Sequence, residues 1–391
     1  MNRIALIMSL LWIPPVCSQT LAPTPNLALT GPNGTGIIHD IELTADGGFV
    51  IGGEFQLTSP SRSNILKLTS ALAVDPNFTA TTNGPVYVIH QLQDNSLVIG
   101  GQFSSVNGAS RLNIARLGSG GTLNTGWLAS VNNTVFAVTS SATDVYAGGR
   151  FSSASSGGAS ASRQRIAKFN GSNGALDGTF ILNQPNEVWA LQWTAAGLFV
   201  GGFGSFSPAS ASLRKVNATN GAIDAGWTPS VTCTNSSVCS NPAILHLQAS
   251  SDGQVYFSGI FDTVNGSTQR LIARVSAATG QLDSGWQPVT GLFARTEGLE
   301  FSFDSDNHVY LASDFGGGSY GGVTRKIARI SRSTGALDTQ FNAGGVGAFS
   351  IVSTSAGVMI GGEFFGPVLG ENRSGVARLV PTSIFRNGFE P

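Results

Sequence analysis

Short apolar runs broken by small and polar residues set the pattern of this chain. The clearest run is Val-Ile-Gly-Gly-Glu-Phe at 50–55. It returns as Val-Ile-Gly-Gly-Gln-Phe at 98–103 and Tyr-Ala-Gly-Gly-Arg-Phe at 146–151. A stretched copy, Val-Gly-Gly-Phe-Gly-Ser-Phe, fills 200–206, and weaker copies stand at 257–261 and 311–315. Met-Ile-Gly-Gly-Glu-Phe at 359–364 nearly repeats the first. A short alternating segment precedes each run, as at 40–43, 87–93 and 188–193. A segment of the Ile-Ala-Arg-Leu type follows it, as at 65–68, 114–117 and 327–330. A Gly-x-Leu-Asp turn then leads to an aromatic: Phe78, Trp127, Phe180, Trp227, Trp286 or Phe341. Runs of this length, rich in Val, Ile and Phe and bounded by Gly, Asn, Asp and Ser, are strand signals. No window sustains a period of 3.6 with caps, so no helix is expected after the N-terminus.

Units of about 50 residues, each reading as four short strands, predict an all-β chain built as a seven-bladed β-propeller of four-stranded antiparallel blades. A lone sheet of this kind buries one face at most, whereas sheets packed radially bury both. The glycine pair is expected where neighbouring blades approach closely. The seventh unit lacks its own fourth segment after Leu379. Thr24-Pro25-Asn26-Leu27 resembles Asp75-Pro76-Asn77-Phe78. Residues near 22–30 are therefore expected to supply the outer strand of the last blade and to remove an open edge.

A basic residue recurs in the third segment of every unit: Lys67, Arg116, Lys168, Lys215, Arg274, Arg329 and Arg378. An acid or amide recurs in the fourth: Asp75, Asn124, Asp177, Asp224, Asp283 and Asp338. A cation inside an apolar strand needs a partner. The two series are expected to form structural bridges, or hydrogen bonds to loop carbonyls; a ring of cations binding an anion is the functional alternative.

Composition narrows the function. Only 11% of the 391 residues are charged and the net charge is −1, which argues against a nucleic-acid surface or a polybasic membrane patch. Arg3, the apolar Ile4–Ile13 run and the small residues before Gln19 read as a signal peptide over 1–18. This leaves a single domain over 19–380, a tail over 381–391 and a periplasmic or extracellular location. A lipid anchor at Cys17 is the lesser alternative. No later run suits a transmembrane helix. Cys233 and Cys239 read as a disulfide closing a small loop, with free thiols as the alternative. Such a loop adds roughly 2 kcal/mol.

The combination Gly-Gly-x-Phe, Arg-x-x-Ile-Ala-Arg-Leu and Gly-x-Leu-Asp-x-x-Phe resembles the delta-60 repeat family of bacterial β-propellers across roughly residues 36–380. The resemblance implies a propeller in exported or surface-associated proteins and implies no reaction. Ser258-Gly259 and Ala312-Ser313 depart from the Gly-Gly pattern and imply reshaped contacts there. Kelch repeats are the nearest rival, but they want a Tyr and a Trp at fixed spacing, and the chain has five Tyr. The end, Ile384 to Glu390, resembles a short tail of exported proteins of Gram-negative bacteria.

Site candidates are the residues that do not recur. Glu42, Gln91, Gln192, Gln248 and Glu300 place polar groups on first strands, expected to line the channel. His39, His90 and His246 fall there too but out of register with one another. A three-His metal site would need them to converge. Trp189 and Trp193 stand on one face by alternation, to stack a sugar or to pack against the next blade. Asp304-Ser305-Asp306-Asn307 lacks the rest of a calcium loop. The glycine-rich 314–322 lacks a phosphate loop's Lys-Ser/Thr. No Gly-x-Ser-x-Gly elbow, His-Glu-x-x-His or catalytic carboxylate pair is visible. The chain thus reads as a monomeric, non-catalytic binding or structural module for an unknown protein or glycan partner, with no cofactor. The alternative is a propeller enzyme, a glycan hydrolase or lyase with acids at the channel mouth.

Overall fold

The computed structural model describes residues 19–21, 27–32, 34–182, 184, 186–206, 211–235, 239, 241–288, 291–292, 300–313, 318–320, 322–369 and 371–381. The expected signal peptide and nearly all of the expected tail lie outside them. All regular structure among the described residues is β-strand. No helix among them is long and apolar enough to cross a membrane.

The basic element is a three-stranded antiparallel meander: Ile37–Leu43, Phe49–Thr58 and Ser61–Leu68. It recurs as Val86–Gln91, Leu97–Gly101 and Ile114–Leu117, then as Val135–Ser140, Asp144–Gly149 and Ile166–Asn170. The next two are Val188–Thr194, Gly197–Phe206 and Ala211–Val216, and Ala243–Ala249, Gln254–Ile260 and Ile272–Ser276. Glu300–Phe303, His308–Ala312 and Ile327–Ser331 follow, and Ser350–Thr354, Gly357–Val368 and Glu371–Pro381 complete the series.

The fourth segment is less than the strand expected of it. It meets the third strand through one bridge per unit, such as Leu68 with Val74, Leu117 with Leu123 or Ile330 with Leu337. A side-chain turn stops the pairing. Asp75 Oδ1 accepts the N–H of Asn77, and Asn124, Asp177, Asp224, Asp283 and Asp338 do the same two residues on. The chain then crosses to the next unit and pairs with its outer hairpin. Ala129–Val131 pairs with Ser153–Ser156, Val231–Thr232 with Thr263–Val264, and Gly291–Leu292 with Gly318–Tyr320. Asn107 and Gly108, both at positive φ, form the tip of one such hairpin, the turn geometry that suits strand twist.

The last unit borrows its outer strand from the beginning of the chain. Gln19–Leu21 pairs with Leu379–Pro381, and Leu21 meets Leu379 as Val74 meets Leu68. The closing strand thus falls before the expected 22–30 stretch, of which 22–26 lie outside the described residues. Leu27 and Leu29 still take part. They are buried beside Ile38, Phe55, Met359 and Val376, the position that Phe78 and Ala80 hold beside Val86 and Ile89.

Hydrophobic clusters form between successive units rather than inside one. The two glycines serve different neighbours. A Cβ on Gly100 would lie 2.5 Å from Val135 Cγ1 of the next unit, and one on Gly361 2.5 Å from Ile38 Cγ2 of the first. A Cβ on Gly101 would instead overlap the Pro85 carbonyl of its own first strand. Only the first glycine therefore reports a close approach between units. In the sixth unit Ala312 replaces that glycine, and the facing Val or Ile becomes Ala348, whose smaller side chain leaves room for the added methyl.

Candidate functional site

First strands from all of these meanders line one cavity of about 660 Å³. Five of these strands carry a β-bulge. Register shifts lie between Ile38 and Asp40, Val86 and Val88, Val135 and Ala137, Val188 and Ala190, and Ile244 and His246. The extra residue at each bulge is His39, Tyr87, Phe136, Trp189 or Leu245, and all five face the cavity, with Phe349 beside them. The rings of Phe349, His39, Tyr87, Phe136 and Trp189 form a collar. Phe349 and His39 lie 6.1 Å apart, His39 and Tyr87 4.7 Å, Tyr87 and Phe136 5.7 Å, and Phe136 and Trp189 5.2 Å. Glu187 Oε2 accepts the Trp189 indole N–H at 2.9 Å and both its oxygens engage Arg150, which lies over the Phe136 ring.

The bulge also separates the two tryptophans. Alternation placed Trp189 and Trp193 on one face; the inserted residue shifts the phase between them. Trp189 enters the collar, while Trp193 packs against the cluster around Leu191 and Leu198 and lines a separate groove with Thr143, Thr194 and Thr219.

Further along the channel wall are Asp40, Glu42 and Glu300. Each first strand is the inner edge of its sheet, so some of its N–H groups lack a ladder partner. Side chains of the preceding unit accept them. Asp40 Oδ2 accepts Ile89 N–H at 2.6 Å, Glu42 Oε1 accepts Gln91 N–H at 2.7 Å, and Glu300 Oε2 accepts Ile351 N–H at 3.0 Å. Thr139, Ser302 and Ser350 do the same for Trp193, Ser353 and Ile41. The Ser350 bond joins the last unit to the first.

Burial sets the protonation of these groups. It raises Asp40 to about 6 and Glu42 to about 8, and moves Glu300 well above the usual carboxylate range. It lowers His39, His90 and His246 to about 4. His246 Nε2 stands 3.9 Å from Glu300 Oε1, and their side chains keep 28% and 20% exposure to the channel. His90 Nε2 is 2.8 Å from Ser140 Oγ. Among the described residues no three His, Cys, Asp or Glu side chains come together as a metal site.

Of the polar residues expected in the channel, Glu42, Gln192, Gln248 and Glu300 line the cavity, and Gln91 turns its Oε1 to the Ala45 N–H. Sequence reasoning named His39 and Trp189 but missed Tyr87, Phe136 and Phe349, the collar they form together, and Asp40. Their signal was a break in alternation, which reads as noise unless a bulge is assumed.

The recurrent basic residues all find acceptors, though not always the expected ones. Lys215, Arg274 and Arg329 pair with Asp224, Asp283 and Asp338 of the fourth segment. Lys168 contacts both Asp144 and Asp177. Lys67 and Arg116 pair with Asp46 and Asp94, in the turn between first and second strands. Arg378 donates to the Ala356 carbonyl at 2.6 Å. Asp75 makes the side-chain turn and no ion pair among the described residues, so the turn, not the bridge, is what the fourth-segment position shares. Cys233 and Cys239 form a disulfide with Cα atoms 5.5 Å apart.

A domain family described as "Domain of unknown function (DUF5122) beta-propeller" matches residues 92–126 and 250–285. No curated protein matches the sequence significantly. Among solved structures, the WD40 beta propeller domain of Doa1 aligns with a TM-score of 0.51 at 11% identity, covering 90% of this chain and 95% of that one. The extracellular domain of a protein designated a hybrid two component system, from B. thetaiotaomicron, aligns with a TM-score of 0.55 at 12% identity, covering 88% of this chain and 38% of that one. The computationally designed Ika8 protein gives 0.50 at 15%, covering 90% and 98%. The fold is that of a β-propeller.

Proposed function

We propose that the chain is an exported, monomeric, seven-bladed β-propeller of the delta-60 repeat type that binds a protein or glycan partner at the collared mouth of its channel. Each blade counts four strands when the outer segment is included, and residues 19–380 form one domain behind a signal peptide at 1–18. The cavity lined by first strands of every unit, with the Ser350–Ile41 bond between last and first, supports the closed seven-fold ring. The disulfide and the extracellular-domain neighbour are consistent with a periplasmic or extracellular location. The observation that carries the binding role is the collar: five ring side chains face one cavity whose volume suits a ligand.

The test is a glycan array and a pull-down with the mature chain. Binding to a defined glycan class that falls at least tenfold in Trp189→Ala supports the reading, since stacking of a nucleic-acid base on an aromatic side chain contributes about 1–3 kcal/mol and a sugar face would use the same ring surface. Unchanged binding in that variant would place the partner elsewhere.

A second reading, a glycan hydrolase or lyase, draws on the raised carboxyls of Asp40, Glu42 and Glu300. All three already serve as acceptors for main-chain N–H groups, which favours the non-catalytic reading. Release of reducing ends, abolished by Glu42→Gln, would reverse that preference.

A further inference from the structure

We infer that the collared channel recognises an amino sugar whose nitrogen is a free, protonated amine. This rests on the binding reading above and names the ligand class of the same site.

The channel gathers three carboxyl groups and no cation among the described residues that line it. Asp40, Glu42 and Glu300 reach it from the first and sixth units, and each is engaged by one main-chain N–H of the following strand. No Lys or Arg is among the described residues that line the cavity. The rim cation, Arg150, is held by Glu187. Burial without a cation holds these carboxyls toward their protonated form, so a ligand that brings the cation lets them ionise and forms an ion pair that the protein itself does not supply. His39 Nε2 and His246 Nδ1 are enclosed there as well, with no hydrogen-bond partner. Both nitrogens are closed off from solvent, so a ligand hydroxyl reaches them only if the imidazole ring turns.

The collar supplies the other half of the specificity. Aromatic faces attract the C–H face of a pyranose and an ammonium alike. Adjacent rings stand 4.7–6.1 Å apart in tilted contact and together line one side of the cavity, an aromatic surface broad enough for a sugar ring. Stacking places the sugar at the mouth, and the acids beyond it select the amine over a hydroxyl or an acetamide.

The experiment is calorimetric titration of the mature chain at neutral pH with four probes: β-1,4-linked hexamers of glucosamine, N-acetylglucosamine and glucose, and hexalysine. The glucosamine hexamer is expected to bind at least tenfold more tightly than the other three. The double variant Asp40→Asn and Glu42→Gln keeps an oxygen to accept the Ile89 and Gln91 N–H groups. It should fold with wild-type circular dichroism and lose that preference. Equal binding of the three sugar hexamers overturns amine recognition and leaves the glycan module standing. Hexalysine binding as tightly as glucosamine overturns the sugar. Retention of the preference in the double variant overturns the acids' role. Binding of none of the four removes both this inference and the glycan reading.

Discussion

The glycine pair shows how one residue type can answer two constraints. Gly100 makes room for Val135 of the next unit, and Gly101 makes room for the Pro85 carbonyl. Gly100→Ala is expected to destabilise the fold by about 1–3 kcal/mol through overpacking. Adding Val135→Ala should recover part of that loss, because Ala312 already faces Ala348 in the same arrangement. Gly101→Ala should find no such rescue, since the obstacle is backbone. Thermal melts of the three variants read this directly. The pair was legible in the sequence as a close approach; which neighbour each glycine meets was not, because that depends on the bulge opposite it. The fourth-segment acids were similarly half-legible. Asn124 stands where the other units have Asp and cannot form an ion pair, which was the clue that the shared role is the side-chain turn.

At the scale of the element, the first strand is governed by being an edge. Its unpaired N–H groups draw Asp40, Glu42, Glu300 and several hydroxyls into a channel wall that is otherwise largely apolar. The cost appears as pH dependence. A carboxyl raised in the folded state binds protons more tightly there than in the unfolded chain. Its stabilising effect is complete below the unfolded value of 4.5 and is lost as pH rises through about 8 for Glu42. The lowered histidines act in the opposite sense, losing stability as pH falls from 6.5 through about 4. Between 6.5 and 8 the acids therefore act alone. Wild-type melting temperature should decline across that window, and Glu42→Gln should flatten the decline by a few degrees. An unchanged slope would mean that Glu42 is ionised throughout. The strands themselves were plain in the sequence. Their bulges were not, since an extra residue in an alternating run looks like a change of face, as it did for Trp193.

At the scale of the whole molecule, the junction of the last and first units depends on residues from opposite ends of the chain. Gln19–Leu21 completes the last sheet, and Leu27 and Leu29 fill the junction between last and first units. Burying two leucines contributes on the order of 3–6 kcal/mol. Removal of residues 19–30 should therefore lower the melting temperature by roughly 10 °C. A melt unchanged by this truncation would show that the strand pairing and both leucines are dispensable. The need for a borrowed strand was legible from the missing segment after Leu379. Its position was misread by a few residues, because Asn26-Leu27 copies the aromatic end of the motif while the bridge to Leu379 lies upstream of it, at Leu21.

The segment that leaves each unit and pairs with the next hairpin has an effect on how the chain can be divided. A break between the exposed Ser172 and Asn173 would give two fragments, each with one orphaned outer edge and the piece that fits the other's. Trp127 and Ala129 on one side of a junction, and Phe151 and Ala154 on the other, already interlock that way within the intact chain. Co-expressed halves should find each other without a tether, and a split reporter could be built on that affinity.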